Sequence, residues 1–440
     1  MVGFYQRRPE YLMTLQDGTV KQLNPFSGTE VWTVAGRADR PVAVPRVDAN
    51  PIETDQDGRH CAFCEDRYLD TPPEKARLVH DAGWQTRHFT PAGQLGSTVA
   101  QFRRVPNLFE ILSYDYWRAN YGYEMPESVR AQAQAYLATP TGHEHILGLI
   151  RAKFRAQGQP EAAVDSLAPT EIQAFCDGFF GGCHDVIIAR RHFVDGAKDT
   201  TQLASSGTLS PDEHAQFIAF TVESTRSLIE ANRYIRYVVV FQNWLKEAGA
   251  SFDHLHKQLV GIDERGGQHE VAHQRLRQNP NTFNDDAANY AAYNNLILAE
   301  NDHALAFAGF GHRYPTIEIF SKSGTCDPWE QQPEELRGMS DVIHAMHAAT
   351  GTAVPCNEEW HYRPVDFGLA MPWRVVLKWR VSTLAGFEGA TKIYLNTISP
   401  YVLRDRVVPA LYDLRHQGQI GDLRIATECA CRPNPLRYQD

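Results

Sequence analysis

At 440 residues the chain is long enough for two or three domains, or for one duplicated unit of about two hundred residues. Hydrophobic residues at 43% and charged residues at 22% suit a soluble globular protein, while a net charge of −10 excludes a general nucleic-acid binder, which needs a basic face. The N-terminal stretch "MVGFYQRRPEYL" lacks the apolar core of a signal peptide, and no apolar run approaches the roughly 20 residues that span a bilayer. Eight cysteines are too sparse for a disulfide scaffold, so a reducing, cytoplasmic setting is expected.

In chain order, 24–41 ("NPFSGTEVWTVAGRADRP") reads as a turn, a strand "VWTV" and an Arg-bearing loop closed by Pro41. Arg37, Arg40, Arg103 and Arg104 are candidates to line a local basic pocket for a small phosphorylated ligand. Cys61 and Cys64 in "HCAFCED" read as metal ligands rather than a disulfide, with a chance pair or a redox motif as the alternatives. Residues 126–175 are rich in Ala, Gln and Glu and predict helices that leave the core. "DVIIA" at 185–189 predicts a buried strand.

"SPDE" at 210–213 predicts a helix start, with Ser210 as N-cap, Pro211 at the first position and Glu213 completing a capping box. That helix should run to about Asn232 and feed a central strand, "RYVVVFQN" at 236–243. A loop with Gly249 returns the chain into "SFDHLHKQLV" at 251–260. Read as a strand, this segment places His254, His256 and Gln258 on one face. The second half has a similar order: a hairpin (303–311 and 316–322), a helix at about 333–350 and a strand "WRVVLKWRVS" at 373–382. The expected class is α+β with mainly antiparallel sheets.

The block "FQNWLKEAGASFDHLHKQLV" (241–260) resembles the active-site segment of galactose-1-phosphate uridylyltransferases and their histidine-triad relatives. The shared features are a Phe and Asn at a strand end, a Gly-x-Ser turn and His-x-His-x-Gln. Blocks 24–41, Cys61–Cys64, "FRRVPNLFEIL" (102–112) and 373–396 follow the same family in order. The resemblance implies two histidine-triad-like halves, residues 1–262 (catalytic) and 263–440, each an antiparallel sheet flanked by helices. The first half carries a helical insertion at about 113–180.

The roles that the resemblance implies can be placed residue by residue. His256 corresponds to the nucleophile that forms a nucleotidyl-histidine, with Ser251 and Gln258 hydrogen-bonding the phosphate. Arg37 and Arg40 correspond to phosphate-binding arginines. Asn107 and Phe109 correspond to the nucleoside-binding turn, Asn243 to a phosphate or ribose contact, and Glu388 to a contact with sugar hydroxyls. His254 corresponds to a ligand of one structural zinc ion, completed by Cys61, Cys64 and His192, with His184 as the alternative. A second metal site of some relatives is expected to be absent. Pro372 and Arg374 occupy the places of an His-x-His pair there, although His361 could match another ligand.

The implied activity is transfer of a nucleoside monophosphate between a nucleotide sugar and a sugar-1-phosphate. Inorganic phosphate as acceptor, in a nucleotide-sugar or dinucleoside-polyphosphate phosphorylase, is the alternative. A zinc-stabilised nucleotide-binding protein is the non-enzymatic one. The expected partners are these small molecules, without nucleic acid or membrane, and a homodimer is a possible assembly.

Overall fold

The computed structural model describes residues 10–38, 48–52 and 58–439. Three short strands, β1 (Leu12–Thr14), β2 (Val20–Leu23) and β3 (Glu30–Thr33), open the chain. After them come β4 (Ala76–His80), β5 (Trp84–His88) and β6 (Ala100–Pro106). Four helices follow: α1 (Tyr114–Tyr121), α2 (Glu127–Leu137), α3 (Pro140–Ala156) and α4 (Pro169–Gly181). They have their own apolar cluster, including Tyr136, Ile146, Ile150 and Phe179, so the insertion is a satellite core as its composition predicts.

The chain then forms β7 (His184–Ala189), α5 (Pro211–Ala231), β8 (Tyr237–Trp244) and β9 (His256–Ile262). Ser210 Oγ accepts from Glu213 N–H and Glu213 Oε2 accepts from Ser210 N–H, the reciprocal cap read from the sequence. The second half runs α6 (Gly267–Gln278), α7 (Asn289–Tyr293), β10 (Ile297–Glu300), β11 (Ala304–Ala308), β12 (Thr316–Ser321), α8 (Pro333–Thr350), β13 (Cys356–His361) and β14 (Arg374–Trp379). It ends with α9 (Gly386–Thr391), β15 (Ile393–Leu395), α10 (Pro400–His416) and β16 (Arg424–Ile425).

Among the described residues, twelve strands form one sheet in the order β16-β10-β11-β12-β14-β13-β8-β9-β7-β6-β4-β5, and β1-β2-β3-β15 form a second. Every pairing in the large sheet is antiparallel. Outward from its centre, the order β8-β9-β7-β6-β4 on one side matches β13-β14-β12-β11-β10 on the other. Helices α5 and α8, each inserted at the corresponding point of its half, pack together on one face. There Phe217 of α5 stacks on Phe102 of β6 with centroids 4.9 Å apart, and truncation of such a side chain typically costs about 3–5 kcal/mol.

One strand boundary differs from expectation. β9 begins at His256, so only His256 and Gln258 share its face, and His254 lies in the loop before it. The His254 side chain is held elsewhere, by Ala189 O and the two cysteines, and this draws the backbone out of the ladder. Arg103 and Arg104 do not line a ligand pocket either. Arg103 pairs with Glu74, and Arg104 Nε lies 2.7 Å from Asp185 Oδ2, both within the core.

Candidate active site and metal centre

Strand alternation brings His256 and Gln258 of β9 beside His184 and Val186 of β7. The cavity above them, about 510 Å³, is also lined by Asn107, Phe109, Ile111, Ser251, Phe63 and Phe252. Five of the sequence-predicted residues therefore meet in one place: His256, Gln258, Ser251, Asn107 and Phe109. Gly249, at φ 91°, makes the left-handed turn that a side-chain-bearing residue would resist and leads the chain to Ser251.

His256 Nδ1 lies 2.7 Å from the His254 carbonyl, which can only accept, so Nδ1 carries the proton and Nε2 keeps its lone pair. The ring is 4% exposed, and burial pushes its pKa down to about 4 against a smaller opposing effect of that hydrogen bond. A neutral imidazole with a fixed tautomer is suited to nucleophilic attack.

Other candidates lie outside this cavity. Asn243 lines the adjoining cavity of about 530 Å³ on the same sheet face, where its Oδ1 accepts from Asn357 Nδ2 at 2.7 Å. Glu388 caps the first turn of α9, its Oε2 accepting from Ala385 N–H, and does not line the His256 cavity. Arg37 is exposed beyond β3, and Arg40 lies outside the described residues. Arg374 is buried among Phe26, Phe283 and Phe320 and pairs with Glu318 at 3.1 Å, a packing role.

Cys61, Cys64, His192 and His254 converge next to the cavity, with their ligand atoms within 4.8 Å of one another. The Sγ atoms are 3.8 Å apart. Nδ1 of His192 lies 3.4 and 3.7 Å from Cys61 and Cys64, and Nδ1 of His254 lies 3.5 and 3.8 Å from them. A tetrahedron built on metal–sulfur bonds of about 2.3 Å and metal–nitrogen bonds of about 2.0 Å has edges of this size. His254 Nε2 donates to Ala189 O at 2.7 Å, which leaves Nδ1 as the ligand nitrogen. The donor set is a buried group of two thiols and two imidazoles compatible with a structural metal site.

Sequence reading missed that His184, considered there only as a metal ligand, belongs to the cavity. The period of two along "HDVII" was the available signal, since it sets His184 and Val186 on one face.

The chain matches, over residues 15–438, the family described as a domain of unknown function (DUF4921). No curated protein matches it. Among solved structures, an ADP-glucose phosphorylase from Arabidopsis thaliana with bound ADP-glucose is similar at 16% identity. The likeness covers 89% of this chain and 98% of that one, with a TM-score of 0.55. A GalT-like protein from Arabidopsis thaliana is similar at 16% identity over 88% and 98%, also at 0.55. At such identities the likeness shows the fold, and that fold is the one the histidine block implies.

Proposed function

The chain belongs to the DUF4921 family, and for it we propose nucleotidyl transfer through a covalent intermediate on His256. The observation that carries this reading is the fixed tautomer of His256, with its unprotonated Nε2 in a cavity shared with Ser251 and Gln258. In the first step Nε2 attacks the α-phosphorus of a nucleotide sugar. A P–N bond forms, the P–O bond to the sugar phosphate breaks, and sugar-1-phosphate leaves with the electron pair. The Nδ1 proton stays on the ring, held by the His254 carbonyl, and offsets the phosphoryl charge. In the second step a phosphate oxygen of the acceptor displaces His256 and restores the free ring.

Gln258 and Ser251 donate to the phosphate oxygens, and Phe109 and Asn107 receive the nucleoside. Zinc is the metal that best suits a closed set of two thiolates and two imidazoles, and held by Cys61, Cys64, His192 and His254 it would clamp the loop that leads into β9. We assign the acceptor as a sugar-1-phosphate. Inorganic phosphate is the second reading, supported by the phosphorylase whose fold spans 89% of this chain.

Incubation with UDP-glucose or ADP-glucose alone should release sugar-1-phosphate in one burst and leave one nucleoside monophosphate on the protein. The adduct should be acid-labile and base-stable, and absent in His256→Ala. Offering galactose-1-phosphate and then inorganic phosphate to the isolated adduct separates the two acceptors. Nucleotide binding with no adduct from any nucleotide sugar would favour a non-catalytic binding protein.

A further inference from the structure

The ring of His184, 1% exposed, bridges two parts of the cavity that the proposed reaction does not itself connect. Ile111 N–H points at His184 Nδ1 at 3.1 Å. A backbone N–H can only donate, so Nδ1 is the unprotonated nitrogen. A ring with a bare Nδ1 carries its single proton on Nε2, and burial favours this uncharged form. That N–H donates to Gln258 Oε1 at 3.1 Å.

Asn107 reaches the same oxygen by parallel logic. Its Oδ1 accepts from Phe109 N–H at 2.9 Å, so its Nδ2 is the end that faces Gln258 Oε1, 3.4 Å away; Nδ2 also lies 3.2 Å from His184 Nε2, two N–H groups side by side that share this one acceptor rather than bond to each other. Two donors thus converge on one amide oxygen. The Gln258 NH₂ group has no protein partner among the described residues and is the end left for the cavity. Turned the other way, the amide would present a carbonyl oxygen to a bound phosphate and repel it.

Both anchoring N–H groups belong to the 107–111 loop, whose Phe109 and Ile111 side chains are 55% and 65% exposed at the cavity rim. Leu108, between Asn107 and Phe109, packs against the apolar cluster of the helical insertion. We propose that His184 is a positioning residue that, with Asn107, couples the nucleoside-facing loop to the polarity of the Gln258 amide. Seating of a nucleoside on Phe109 and Ile111 then fixes a phosphate donor on β9, and a displaced loop releases it. The insertion braces the loop through Leu108 and so sets how readily this coupling breaks. The role of Gln258 toward phosphate rests on the reading above; the His184 linkage rests on hydrogen-bond geometry alone.

The test uses the full chain. Imidazole ¹⁵N spectra should show His184 with Nε2 protonated and Nδ1 bare, and a proton on Nδ1 overturns the proposal whatever the activity. AMP and UMP serve as binding probes in calorimetry. His184→Phe should weaken the nucleotide that binds by roughly tenfold to a hundredfold, the range for a hydrogen bond to a charged group. His184→Gln, which offers one acceptor and one donor, should recover most of that loss. In a Gln258→Ala background His184→Phe should cost little more, because the two act as one unit. Full additivity of the two losses overturns the coupling. A chain with the expected tautomer and non-additive binding, but no adduct from UDP-glucose or ADP-glucose, would sink the covalent reading and leave this one standing.

Discussion

Lys257 Nζ lies 2.5 Å from Glu358 Oε1, and neither side chain has any exposure. The pair sits on the face of the sheet opposite the cavity, immediately behind His256, and ties β9 to β13 across β8. Glu358 Oε2 also meets His347 Nε2 at 2.7 Å, and Lys257 Nζ donates to Gln242 Oε1 at 3.1 Å. Burial alone would raise the Glu358 carboxyl, but Lys257 and His347 hold it below the usual carboxylate range. Burial lowers the Lys257 ammonium and the Glu358 carboxylate opposes that, so the contact is one between ions only while both partners are present.

Removing one partner leaves the other charge buried and unpaired. Glu358→Gln should therefore destabilise the chain by about 3–5 kcal/mol in urea denaturation, although it keeps shape and volume. Lys257→Met in the same background should recover part of the loss. A Glu358→Gln variant that unfolds at the parent's urea midpoint would show that the pair is not charged.

The metal prediction concerns composition and stability together. One zinc per chain is expected by elemental analysis, lost in Cys61→Ser. That variant should lose more than about 3 kcal/mol, as mutations that remove a structural metal do. Zero or two equivalents in the parent would contradict a single site at Cys61, Cys64, His192 and His254.

Several histidines are buried neutral. Desolvation pushes His269 and His344 down to about 4 and His361 to about 3, and His214 is lowered as well. The unfolded chain takes up these protons near pH 6.5 and the folded one refuses them, so stability is complete above that pH and falls as pH drops toward 4. Each histidine contributes up to about 1.4 kcal/mol per unit of separation. The urea midpoint should fall between pH 7.5 and 5, with a smaller drop in His344→Gln. An equal drop in both proteins would remove His344 from this account.

Phe109 separates stability from binding. Its side chain is 55% exposed, so Phe109→Ala should change unfolding free energy by no more than about 0.5 kcal/mol. If it stacks on a base, the same change should weaken nucleotide affinity by roughly 5- to 150-fold, the equivalent of about 1–3 kcal/mol. Unchanged affinity for AMP and UMP would move the nucleoside elsewhere.

Local signals were legible where local physics decides them. The Ser210 cap and the β-branched run of β8 place their elements to within a residue or two, and the helix expected at about 333–350 is α8. His254 was misplaced because a strand's period of two was extended through a residue whose partners, Cys61 and Ala189, are distant in sequence. The two histidines of "HDVIIARRH" could not be sorted by type, since either can bind a metal. Only the register of β7 against β9 sends His184 to Gln258 and leaves His192 to the cysteines. Glu388 commits one carboxylate oxygen to the cap of its own helix, through Ala385 N–H, a local contact that motif matching alone does not reveal.

The two ends of the twelve-stranded sheet determine how it can meet another chain. An open sheet presents unpaired N–H and C=O groups at its margins, which invite a foreign strand. Here one margin is β5, whose residues Gln85 to His88 are all exposed and include Arg87 and His88. The other is β16, only two residues long. A charged, solvated margin and a very short one both disfavour strand addition. Self-association of this chain would therefore use its helices, its loops or the open face beside β8 and β13, and a fibrillar route through edge-to-edge pairing is suppressed.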